Sequence, residues 1–96
     1  MTVTTALKER ITEDMKAAMR AKEAGRLSAI RLLQAAIKQK EVDERVVADD
    51  AAVLAIIERL IKQRKDSIEQ FAKAGRTDLV DKERAELDLL TGYLPQ

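Results

Sequence analysis

Between residues 53 and 71 the chain carries an apolar stripe, Val53, Leu54, Ile57, Leu60, Ile61, Ile68 and Phe71, whose members recur at steps of three and seven residues with two adjacent pairs. That spacing places the side chains along one side of an α-helix. The stripe runs out at Ala74-Gly75, and a second one, Leu79, Val80, Leu87 and Leu90, begins just after Thr77. Two amphipathic helices joined by so short a link must fold back on each other to bury their apolar faces, which gives an antiparallel helical hairpin. Gly75 is the expected stop of the first helix, and Thr77, with Asp78 and Asp81 in the first turn, is the expected cap of the next.

The N-terminal half has the same logic. A helix capped by Thr4 or Thr5 presents Leu7, Ile11, Met15, Ala18, Met19 and Lys22 on one face, with Gly25 as its stop. A second helix, over about 26–43, carries Leu27, Ile30, Leu33 and Ile37, flanked by Ala29 and Ala36. Leu32 stands on another side and implies a second neighbour. Residues 41–48 show no clear period and read as a connector. A third helix starts near Asp49-Asp50, where two carboxylates suit the positive end of its dipole. Gly92 ends the fourth helix, and Tyr93-Leu94-Pro95 leads away from it. The expected fold is all-α, a four-helix arrangement built from two antiparallel helical hairpins, as one domain over residues 1–96. With one Phe, one Tyr, three Gly and one Pro, the composition favours helices over a sheet.

The charges narrow the function. The net charge is +1, which gives no whole-chain field toward nucleic acid. The distribution is uneven: the window 8–40 holds nine Lys and Arg against four Asp and Glu. The string Lys62, Arg64, Lys65 looks basic, but on a helix Lys62, Lys65 and Lys73 share a face with Glu58 and Glu69. A charge-paired, solvated face is favoured there over a phosphate-binding surface. Arg31 and Lys38 likewise read first as solvated. Arg64 and Glu83 each interrupt an apolar stripe, and folding at Gly75 brings them within about a turn of each other, so they are expected to form an inter-helix ion pair that fixes register.

There is no Cys and no His. Thiolate and imidazole chemistry, disulfides and the usual zinc ligands are therefore excluded. No Gly-rich phosphate loop and no metal-ligand spacing is present. No cofactor or metal is expected, and no catalytic residue can be named. No apolar run approaches a membrane span and no signal core follows the N-terminus, so the expectation is a cytoplasmic protein with no membrane partner.

Four segments, ITEDMKAAMRAK at 11–22, RLSAIRLLQAAIK at 26–38, IKQRKDSIEQFAKAGRTDL at 61–79 and KERAELDLLTGYLP at 82–95, resemble in order and spacing the GatB/YqeY family, and within it the N-terminal helical part of bacterial YqeY-like proteins. Two departures stand out. The family usually has Thr or Ser before the acidic start of the third helix, where this chain has Ala48. YqeY-like proteins also continue into a second helical part with a Gly-containing, Lys-rich motif, whereas this sequence ends at Gln96.

The resemblance implies an auxiliary tRNA-binding module, like the tail of the B subunit of glutamyl/aspartyl-tRNA amidotransferase. Its expected partners are tRNA, an aminoacyl-tRNA synthetase or an amidotransferase. Phosphate contacts are expected from Lys16, Arg20, Lys22, Arg26, Arg31, Lys62 and Lys65. The alternative is a protein-interaction module using an apolar strip near Leu27 and Leu32 or along Leu89, Leu90 and Leu94. Free-standing members also carry the label of carbon–nitrogen ligase with glutamine as nitrogen donor. This sequence offers neither a glutaminase nucleophile nor an ATP loop for that chemistry, so the domain is not expected to be catalytic by itself.

Overall fold

The computed structural model describes residues 4–95, and the fold is all-α. Four helices follow in order: α1 Ala6–Arg20, α2 Ala24–Glu44, α3 Asp50–Lys73 and α4 Thr77–Thr91. No strand occurs among the described residues. The helices make two hairpins, α1 with α2 and α3 with α4. The chain divides into two compact units, residues 1–56 and residues 57–96.

In the first unit α1 packs against α2. Ile11 and Ala18 of α1 are buried, as are Ala29, Ile30, Leu33 and Ile37 of α2, together with Ala48, Val53 and Ile56. The expected stripes of both helices are thus largely interior. Each fully buried Ile or Leu contributes about 1.5–3 kcal/mol of transfer free energy. Two expectations fail at the margins. Met19 is 49% exposed, and Leu32, for which a second neighbour was expected, is 51% exposed.

The link between α1 and α2 differs from the sequence reading. Gly25 lies inside the first turn of α2 and is not the stop of α1. The left-handed residue is Lys22, at φ +56°. Its N–H donates to the Met19 carbonyl at 3.1 Å, and the Glu23 N–H donates to Ala18 at 3.0 Å. That is the double bond pattern of a Schellman stop. Arg45 takes the same conformation, at φ +54°, after α2, with the Val46 N–H donating to Glu41. The helix therefore absorbs residues 41–44 of the expected connector.

The start of α1 is held from a distance. Thr5 occupies the cap position, but its side chain makes no capping bond. Asp50 does so instead: its Oδ1 accepts from the Leu7 N–H at 2.9 Å, and its own N–H donates to the Thr4 carbonyl at 2.8 Å. Asp49 caps α3, its Oδ1 accepting from the Ala52 N–H at 2.8 Å. An Asp cap makes the Thr or Ser missing at Ala48 unnecessary.

In the second unit Ile57, Ile61, Leu90 and Tyr93 are buried, with Glu86 beside them. Tyr93 thus belongs to the interior and not to an exit segment. Gly75 stops α3 at φ +72°, where the Arg76 N–H donates to Phe71 at 2.9 Å. Thr77 does not cap α4. Arg76 holds that position without a side-chain capping bond, and its guanidinium turns to Asp78 at 3.3 Å. α4 closes at Gly92, which remains right-handed.

Candidate nucleic-acid interface

The α1–α2 turn gathers most of the expected cationic residues of the first unit. Arg20 is the last residue of α1, Lys22 sits in the turn and Arg26 lies in the first turn of α2. All three are exposed. Lys16 lies one turn back on α1, and its ammonium approaches Glu13 at 3.5 Å. Arg26 pairs with Glu23 at 3.7 Å. Both pairs are long and solvated and hold little energy. Arg20, Lys22 and Arg31 have no ion-pair partner among the described residues, and Arg31 lies farther along α2, about 7–8 Å of helix rise beyond Arg26. Because Lys22 carries the left-handed stop, the backbone hydrogen bonds of the turn fix where its Cα stands between the two helices.

Lys62 and Lys65 are exposed on α3 in the second unit. They do not form the charge ladder that their spacing suggested. Of the helix-face pairs expected there, Glu69–Lys73 is present at 3.2 Å, and neither Lys62 nor Lys65 has a carboxylate within ion-pair distance among the described residues. A lysine ammonium on a solvated face loses rotamer freedom to hold a pair and gains little from it.

Arg64 and Glu83 lie close together, and a third residue joins them. Arg64 Nε is 3.0 Å from Glu83 Oε2 and 2.8 Å from Glu86 Oε2. Arg64 Nε and Glu83 Oε2 are both buried and lack a well-aligned hydrogen bond. The attraction is therefore mainly charge against charge. Glu86 could have been foreseen, since it follows Glu83 by three residues and so shares its side of α4.

Sequence reasoning gave no sign of another cluster in the first unit. Lys8 Nζ lies 2.6 Å from Glu41 Oε2, and the same oxygen accepts from the Ala48 N–H at 2.8 Å. The Lys8 hydrogen bond, and then the Ala48 N–H, hold the Glu41 carboxyl below its ordinary range against the opposing effect of burial. This clasp ties α1, the end of α2 and the following link. Its partners are 33 and 7 residues apart, so no local pattern announces it. No group of three or more metal-ligating side chains occurs among the described residues.

Two helical hairpins, a cationic turn and buried charges that serve helix contacts define an all-α helical domain. The chain belongs to the family described as Yqey-like protein, whose sequence profile matches residues 8–96. Among its relatives are three proteins named "Altered inheritance of mitochondria protein 41, mitochondrial". The one from Pyrenophora tritici-repentis is 42% identical over 84 residues, covering 88% of this chain and 46% of the relative. The one from Lachancea thermotolerans is 42% identical over 87 residues, covering 90% and 46%. The one from Saccharomyces cerevisiae is 42% identical over 84 residues, covering 86% and 45%. The chain thus spans a little under half the length of these relatives.

Their names overturn the cytoplasmic expectation, because each is designated mitochondrial. That expectation rested on the lack of an apolar span and a secretory signal core. No helix among the described residues is long and apolar enough to cross a membrane. Mitochondrial address segments are amphipathic and Arg-rich, so neither feature separates the two compartments.

Proposed function

We propose that this domain is an auxiliary tRNA-binding module that acts beside a tRNA enzyme, either an aminoacyl-tRNA synthetase or an amidotransferase. The observation that carries the reading is the α1–α2 turn, where Arg20 and Lys22 stand exposed with no ion-pair partner among the described residues, and Arg26 follows in the first turn of α2. Cations free of internal partners are available to phosphates without first breaking an ion pair. Lys16 and Arg31 extend the same unit's positive surface, and Lys62 and Lys65 add cations on the second unit. Contacts of this kind give affinity and orientation without base specificity. The names of the relatives support a mitochondrial setting for this role.

The test is a salt titration of tRNA binding, run on this chain and on a full-length fungal relative. If five cations contact phosphates, affinity falls by roughly 10²–10³ between low and near-physiological salt. Arg20→Ala and Lys22→Ala each reduce the salt slope by about one unit. Absence of binding at low salt for both proteins rejects the proposal. A second reading, a protein-interaction module, draws support from Leu32, which is 51% exposed on α2. Recovery of a synthetase or amidotransferase subunit after nuclease treatment, lost in Leu32→Ser, favours it.

A further inference from the structure

A cleft of about 230 Å³ opens between α1 and α2. Ile11 and Ile37 give it an apolar floor, and Thr12, Gln34 and Lys38 supply polar walls. Lys8 and Glu41 also line it, but they neutralise each other at 2.6 Å. The other polar groups keep bonding capacity. Thr12 Oγ1 donates to the Lys8 carbonyl at 3.1 Å, which leaves its oxygen lone pairs able to accept. The Gln34 side-chain amide has no hydrogen-bond partner among the described residues, and Lys38 has no ion-pair partner there.

The cleft thus offers an acceptor, a donor and a cation beside an apolar floor. A phosphate next to a hydroxylated sugar presents the complementary set. The phosphate meets the Lys38 ammonium, and the C–H face of the sugar lies on Ile11 and Ile37. The sugar hydroxyl donates to Thr12 and accepts from Gln34. The volume is below the usual range of a small-molecule pocket. No aromatic ring lines the cleft, so a base finds nothing there to stack on.

Helical spacing joins this cleft to the cationic surface of the same unit. Arg31, Gln34 and Lys38 follow one edge of α2 at steps of three and four residues, and Lys16 follows Thr12 by one turn on α1. Arg31 and Lys38 are about 10 Å apart along the helix axis, roughly three nucleotide rises of a duplex strand.

We propose that this cleft reads a ribose 2′-hydroxyl, so that the first unit prefers RNA to DNA. The inference rests on the tRNA-binding reading. It adds Lys38 as a phosphate contact, and Thr12 and Gln34 as the residues that distinguish the sugar.

The test titrates the whole isotope-labelled chain at low salt with an RNA stem-loop, and with the same stem-loop carrying 2′-fluoro in place of the 2′-hydroxyls. Both ligands keep A-form geometry, but only the RNA has the hydroxyl donor. The RNA is expected to bind about fivefold tighter, as one net hydrogen bond gives, and to shift the NMR signals of the Gln34 side-chain amide. Thr12→Val with Gln34→Ala makes the two ligands bind alike, whereas Thr12→Ser keeps the preference. Lys38→Ala, at an exposed position, weakens both by the same factor and lowers the salt slope by about one unit. Circular dichroism verifies that the variants fold. Equal binding of the two ligands by the unaltered chain overturns this inference and leaves the tRNA reading standing. A preference that survives Thr12→Val with Gln34→Ala also overturns it, as does an unmoved Gln34 signal. If neither ligand binds at low salt, both readings fall. If a polyglutamate peptide moves the Gln34 signal and RNA does not, the cleft is a protein site and the inference is overturned.

Discussion

Arg64 meets two carboxylates, and the consequences of removing each member of the trio are not equal. Its side chain is 21% exposed, that of Glu83 18% and that of Glu86 10%. These values place the trio closer to a buried pair than to a surface one. Replacing Arg64 by Met keeps most of the side-chain volume but leaves two carboxylates facing each other without a cation. Breaking a buried pair from one side costs about 3–5 kcal/mol, and partial solvent access puts this case near about 3. For a chain of this size that corresponds to a fall in Tm of roughly 12–24 °C.

Glu83→Gln is different, because Glu86 at 2.8 Å still neutralises the guanidinium. Its expected cost is about 1 kcal/mol. The assay is urea unfolding followed by far-UV circular dichroism, which suits a helical chain without Trp. An unchanged m-value shows that the effect lies in stability and not in the extent of unfolding. The reasoning fails if Glu83→Gln costs as much as Arg64→Met. It also fails if Arg64→Met costs less than about 1 kcal/mol, the range of an exposed pair.

The Lys8–Glu41–Ala48 clasp makes stability pH-dependent with a definite sign. The folded carboxyl ionises below its ordinary 4.5, so the contribution is complete above that value and is lost as pH falls through the lowered one. Glu41→Gln therefore flattens the acid side of the stability–pH curve measured by urea unfolding. The left-handed Lys22 and Arg45 are strained for residues with a Cβ, so Lys22→Gly and Arg45→Gly each raise stability by about 1 kcal/mol. Gly75→Ala lowers it by about the same amount, and since its Cβ position is open, the loss comes from backbone strain alone. Asp50→Ala removes the cap of α1 and costs about 1 kcal/mol, with faster hydrogen exchange at the Leu7 amide. Asp50→Asn keeps an oxygen acceptor and loses less.

Much of the fold was legible because helices record burial locally. Ile11, Ile30, Leu33, Ile37, Val53, Ile57 and Ile61 sit at helical steps in the sequence and are interior in the structure. Gly75 was legible as a stop because its flexibility suits a left-handed residue. The same rule misled at Gly25. Lys22 accepts the left-handed strain, and the α1 stop comes three residues earlier. Among the candidate phosphate contacts, residue type and spacing identified the cations. The pairing of each cation was decided by rotamers that spacing does not specify, as Lys62 and Lys65 illustrate.

Periodicity alone thus determined that this chain is helical, where its main helices lie and which faces turn inward, because each of those properties depends on neighbours three or four residues away. Tertiary structure alone decided that Asp50 caps a helix beginning more than forty residues earlier. It also decided that Glu41 gathers Lys8 and the Ala48 amide, and that Glu86 joins Glu83 on Arg64. Those choices follow from polar groups seeking partners as water is withdrawn. The nearest partner in space need not be near in sequence.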